Sequence, residues 1–247
     1  MHRLLVETQE LSQESPALSR DALHHLKVLR PKDGEAIELF DGRGSLRRYL
    51  FDASARALRA APGQPVRTIG RSDDSLTLFA CVTKGSRWDW TVEKATELGV
   101  TRIVPVISDR TIVRIPKAER AAKRERWLRI AEDAARQSDA VWLPEIDEAT
   151  DFADTLPRVR ETTCFIGALT DPPPQPLLAA LAQLPRDPSG APRHLALYVG
   201  PEGDFTPAEL QALTAVATPV TFGPTVLRAE TAALFGLSVL AASQHGH

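Results

Sequence analysis

The chain has 247 residues, a formal net charge of −2, and 43% hydrophobic and 25% charged residues, the make-up of an ordinary globular protein with core enough for one large domain or two modest ones. The opening "MHRLLVETQE" lacks the apolar stretch of a signal peptide and no apolar run reaches membrane-spanning length, so a cytoplasmic protein with no membrane partner is expected. The six histidines form no H-x-x-x-H or Cys/His cluster, which argues against a metal, and Cys81 and Cys164 sit far apart in apolar runs as buried reduced thiols would.

In chain order, the first pattern is helical, "SRDALHHLKVLR", followed by the turn "PKDG" and the strand-like "EAIELFDG". Short segments bounded by Gly and Pro follow ("RRYLFDA", "RALRAAPG", "PVRTIG"), the rhythm of a small β-barrel or sandwich. We read residues 1–71 as this first domain and 72–247 as a second. There the rhythm alternates: strand "SLTLFACVT", helix "RWDWTVEKATELG", strand "RIVPVIS", long helix "KAERAAKRERWLRIAEDAARQS". Then come "TTCFIGAL", helical "PLLAALAQL", "HLALYVG", "TPAELQALTAV", "PVTFG" and "RAETAALFGLSVLAAS". Alternation of this kind predicts an α/β domain on a mainly parallel sheet. "TDPPPQP" and "PRDPSGAP" read as loops within it.

Between Arg110 and Arg129 eight basic residues stand against Glu119 and Glu125, a local excess of six positive charges. Such a run is either a solvated helix face or a phosphate-binding stripe, and the sequence leaves both open.

Two turns carry the chemistry. "YVGPEGDFTPAEL" and "VTFGPTVLRAETAALFG" each run from a strand through Gly-Pro into a helix. Ligands of open α/β sheets sit at strand carboxyl ends, so the turns mark a pocket. Neither G-x-G-x-x-G nor G-x-x-x-x-G-K-[ST] occurs, and Glu202 stands where a pyrophosphate loop would avoid a carboxylate. A dinucleotide or nucleoside triphosphate is therefore not the expected ligand. Thr206, Pro207 and Glu209 form a capping signature for the helix that follows. In the second turn the helix is expected to start near Thr225, with Arg228, Glu230 and Thr231 in or near its first turn. A cation there opposes the helix dipole, as a residue with a functional partner can afford to do.

These segments, with "HHLKVLR", "LFDGRG", "VTKGSRWDWTVEKATELGVTRIVPVISDRT" and "RWLRIAEDAARQS…LPEI", resemble the 16S ribosomal RNA uridine N3-methyltransferases of the SPOUT superfamily nearly end to end. The resemblance implies an N-terminal PUA-like RNA-binding barrel and a C-terminal α/β domain tied in a trefoil knot, an exception to unknotted topology. It implies S-adenosylmethionine as cofactor, 16S rRNA of the small subunit as partner, and a homodimer. The cofactor residues it implies are Leu169, Val199, Gly200, Glu202, Gly203, Phe222, Gly223, Val226, Leu227, Arg228 and Thr231, with glycines allowing close approach. Uridine N3 is a poor nucleophile until its proton leaves. Arg228 is the expected catalytic cation for the developing anion, and Glu230 either accepts the proton or only caps the helix. Arg30, Lys84, Arg87, Arg110, Arg114 and Arg136 are the expected RNA contacts. Two places depart from the family pattern: E-Q-(S/C)-x-R is replaced by Arg136-Gln137-Ser138-Asp139-Ala140, and the glycine pair after Glu202 by Gly203-Asp204. The departures keep a second function open, a non-catalytic RNA-binding or ribosome-assembly protein.

Overall fold

The computed structural model describes residues 1–185 and 191–245; most of the loop expected over Pro185–Pro192 lies outside the described residues. The chain divides into two compact units, Met1–Arg71 with Glu132–Leu143, and Ser72–Ala131 with Pro144–His247. Glu132–Leu143 thus packs with the N-terminal unit, a discontinuity that local strand and helix patterns do not register.

In the first unit α1 (Arg20–Leu29) starts at Ser19, whose side chain accepts from the Ala22 N–H. The five-stranded sheet joins β1 (His2–Leu5), β2 (Ala36–Phe40), β3 (Ser45–Asp52), β4 (Ala57–Ala60) and β5 (Arg67–Thr68). β1 runs parallel to β2 and the remaining pairs are antiparallel, with β4 and β5 sharing one edge of β3. Leu4, Leu26, Ile37, Leu39 and Tyr49 fill the core. The Tyr49 hydroxyl lies 3.0–3.1 Å from the carbonyls of Glu10, Leu11 and Gln13, tying the Thr8–Ser12 turn to the sheet. β1 was missed in the sequence because four residues carry too little pattern.

The second unit holds a seven-stranded, wholly parallel sheet. Its members are β6 (Ser75–Cys81), β7 (Arg102–Ile107), β8 (Glu145–Ile146), β9 (Thr150–Asp151), β10 (Thr163–Gly167), β11 (His194–Val199) and β12 (Thr218–Val220). The order is β12-β10-β11-β6-β7-β8, with β9 also on β7, and each pairing is parallel. The helices are α2 (Ser86–Glu97), α3 (Lys117–Gln137), α4 (Phe152–Val159), α5 (Leu177–Ala182), α6 (Pro207–Thr214) and α7 (Ala229–His245); the last turn of α3 belongs to the first unit. Leu78, Trp88, Val92, Ile103, Leu197 and Leu237 are among the residues of one core face, and Phe79, Val104, Tyr198 and Phe205 of the other.

Four elements correct the sequence reading. α4 went unread because Pro157 lies inside it. β8 and β9 are two residues each, below any periodicity. α7 starts at Ala229, later than the Thr225 start expected, and the Arg228 carbonyl accepts its first helical hydrogen bond, 2.8 Å from Ala232 N. The α6 cap is as read: Thr206 accepts from Glu209 N, and Glu209 reaches back to Thr206 N.

Candidate active site

The strand order brings the loops after β10, β11 and β12 together at the carboxyl edge of the sheet. They enclose a cleft of about 280 Å³, at the small end of ligand sites. Its walls are Gly167–Leu169, Val199–Glu202 with Asp204, and Val220–Phe222 with Thr225–Ala229; Ala232 of α7 closes it. Leu169 is 60% and Val226 74% exposed, so the rim offers bare apolar surface to a flat ligand.

The geometry sorts the expected cofactor residues. Leu169, Val199, Gly200, Glu202, Phe222, Val226, Leu227 and Arg228 line the cleft, whereas Gly203, Gly223 and Thr231 are outside its lining. Gly200, which lines the cleft, also has a packing reason to be small. A Cβ there would stand 2.9 Å from the Phe205 ring, and one on Gly167 would stand 2.5 Å from Phe222. The two glycines therefore admit Phe222, which lines the cleft, and Phe205, which packs in the core behind it. Gly223 has φ +141, open to glycine and strained for other residues. Asp204 was missed as a lining residue; it occupies the left-handed region at φ 57, which glycine enters freely and Asp at some cost.

Charge is placed unevenly around the cleft. The Arg228 side chain is exposed at its wall and makes no hydrogen bond or ion pair with the described residues. Glu230, two residues on, is 7% exposed and its Oε2 has no partner among the described residues. Glu202 is held by Arg87, with Nη1 3.3 Å from Oε1.

The basic stretch is largely occupied within the protein. Arg110 Nη1 donates to the carbonyls of Gly203 (3.0 Å) and Phe205 (3.2 Å), bracing the turn after β11. Arg114 donates to the Ser108 and Asp109 carbonyls. Arg120, Arg124 and Arg126 engage Asp151, the Ile146 carbonyl and Asp89. Lys117, Lys123 and Arg129 have no such partner among the described residues, nor has Lys84. In the first unit the Arg30 side chain is exposed at the end of α1, and Arg136 pairs with Asp133. Around the altered segment, Arg3 donates to the Ala135 and Ala140 carbonyls (both 3.0 Å), which secures its backbone.

Both cysteines are free and buried; burial pushes the Cys81 thiol up to about 12 and raises Cys164 as well. Among the described residues no group of three or more His, Cys, Asp or Glu could hold a metal, and no helix is long and apolar enough to cross a membrane.

A parallel α/β unit with a cleft at its switch point, flanked by an arginine whose side chain is unpaired among the described residues, has the form of a ligand site at the strand carboxyl ends. The RNA methyltransferase domain family matches residues 71–241 and the RNA methyltransferase PUA domain family residues 18–49. The chain belongs to this family of RNA methyltransferases. It is 32% identical to the ribosomal RNA small subunit methyltransferase E of Bacillus subtilis, over 97% of this chain and 96% of that one. The structure of a ribosomal RNA small subunit methyltransferase E from Neisseria gonorrhoeae bound to S-adenosyl methionine is 29% identical, TM-score 0.80, over 98% of both chains. A methyltransferase from Legionella pneumophila, solved with bound cofactor SAM, is 28% identical, TM-score 0.80, over 98% of this chain and 96% of that one.

Proposed function

We propose that the chain transfers a methyl group from S-adenosylmethionine to N3 of a uridine in 16S rRNA of the small subunit. One observation carries this reading: Arg228, a cation whose side chain has no partner among the described residues, stands on the wall of the cleft at the start of α7, two residues before the buried Glu230, whose Oε2 is also unpartnered among them. The relatives of the same family, named for small-subunit ribosomal RNA or solved with S-adenosylmethionine, support the substrate and the cofactor.

The residues present fit that cofactor. The apolar rim of Leu169, Val226 and Leu227 suits adenine, and the carboxylates of Glu202 and Asp204 suit a cationic ligand and oppose a pyrophosphate. When bound, S-adenosylmethionine supplies an electrophilic methyl on its sulfonium. The protein's own part is to hold the base and manage its charge. Removal of the N3 proton spreads negative charge over the uracil imide. Arg228 and the positive end of α7 both favour that charge, and neither has to reorganise to do so. Glu230 lies outside the cleft lining; with its Oε2 free of partners among the described residues, it is the carboxylate proposed to take the proton. Positioning of base against cofactor supplies much of the rest.

In this reading residues 1–71 are the PUA-like RNA-binding domain and 72–247 the catalytic domain. Arg30, Lys84, Arg87, Arg110, Arg114 and Arg136 contribute contacts to RNA, with Arg110 also bracing the turn after β11 and Arg114 the turn after β7. The trefoil knot belongs to this reading through the family resemblance, and the strand order β12-β10-β11-β6 is compatible with it. Exposed Leu178 and Phe235 on α5 and α7 support a homodimer, and the enzyme works in the cytoplasm where ribosomes are made. Calorimetry tests the cofactor: S-adenosylmethionine binds, and ATP and NAD give no heat. Binding of ATP or NAD with no response to S-adenosylmethionine contradicts the reading.

A further inference from the structure

We infer that Asp204 is a ligand-holding carboxylate of the cleft, accepting a hydrogen bond from a donor on the cofactor, a ribose hydroxyl or the ammonium group. This rests on the cleft being the S-adenosylmethionine site. Two acids line the cleft, and they differ in availability. Glu202 is engaged by Arg87 at 3.3 Å. Asp204 uses Oδ1 for its neighbour's backbone, accepting from Phe205 N at 2.8 Å, and Oδ2 has no partner among the described residues.

The surrounding turn fixes where that oxygen sits. Asp204 N donates to the Pro201 carbonyl at 3.0 Å, and Arg110 clamps the carbonyls on either side, those of Gly203 and Phe205. The Phe205 ring is buried and packs over Gly200. A side chain on such a turn is preorganised, the condition under which one hydrogen bond discriminates well. The position also carries backbone strain. At φ 57 glycine sits freely and a residue with a Cβ does not, and glycine is what the resembled family has here. A strained residue lining a cleft is a functional candidate. The bond to Phe205 N does not explain the carboxylate, because asparagine would make it equally well.

The test uses the full chain as wild type, Asp204→Asn and Asp204→Gly, titrated with S-adenosylmethionine and with 5′-methylthioadenosine, which keeps adenine and ribose but lacks the amino acid. Both variants are expected to bind S-adenosylmethionine roughly tenfold more weakly, the loss of one charge-assisted hydrogen bond. The ligand-free melting temperature of Asp204→Gly is expected to be unchanged or raised. A parallel loss for 5′-methylthioadenosine assigns the contact to ribose; unchanged 5′-methylthioadenosine binding assigns it to the ammonium. Wild-type binding matched by Asp204→Asn overturns the assignment alone, as does an Asp204→Gly variant that melts earlier yet binds normally. A wild type that does not bind S-adenosylmethionine overturns the site reading and this assignment with it.

Discussion

Arg228 stands just ahead of Ala229, the first residue of α7, where a positive side chain opposes the helix dipole at a cost of about 0.3–1 kcal/mol. Arg228→Gln is therefore expected to melt at the same temperature or higher. Its turnover should fall by roughly a hundredfold or more, the usual consequence of removing a preorganised charge-stabilising donor. Cofactor affinity should change much less. Early melting with near-normal methyl transfer would make Arg228 a packing residue. The type and place of Arg228 and Glu230 were legible in the sequence because both belong to one short motif. The burial of Glu230 was not, since it depends on packing. The work of Arg110 was illegible for a plainer reason: its acceptors, Gly203 and Phe205, lie more than ninety positions away.

At the scale of elements, α6 shows how far local chemistry reaches. Thr206, Pro207 and Glu209 announced its start, and the reciprocal bonds are formed as read. Glu209 does more than a cap needs, because its Oε1 also accepts from Asp109 N at 2.9 Å while the side chain is buried. Thr206→Ala is expected to cost about 1 kcal/mol in urea unfolding, the usual loss of an N-cap. Glu209→Ala should cost more, because it also strands the Asp109 N–H. Equal losses would show that the Asp109 bond adds nothing. α4 was missed where α6 was found: Pro157 is a breaker by local rules, and only its tertiary setting lets the helix run on to Val159.

Across the whole molecule, the wholly parallel sheet followed from strand–helix alternation, while the return of Glu132–Leu143 to the N-terminal unit did not. That return depends on long-range bonds such as Arg3 to the Ala135 and Ala140 carbonyls. The same distinction applies to the basic stretch. Charge count left a solvated face and a phosphate stripe open; Arg110, Arg114, Arg120, Arg124 and Arg126 have partners within the protein, and Lys117, Lys123 and Arg129 have none among the described residues. Replacing those last three with Ala is expected to weaken RNA binding across sequences and to lower the salt slope by about two to three. An unchanged slope would leave α3 a solvated face. The central claim is methyl transfer to uridine N3, and it is tested most directly with purified protein, S-adenosylmethionine and small subunits from a strain lacking the gene. Mass spectrometry of the 16S rRNA is predicted to show one added methyl, on N3 of a single uridine, absent when Arg228→Gln replaces the wild type at matched time. RNA that is bound but unmethylated, or methylated on another atom, would contradict the account.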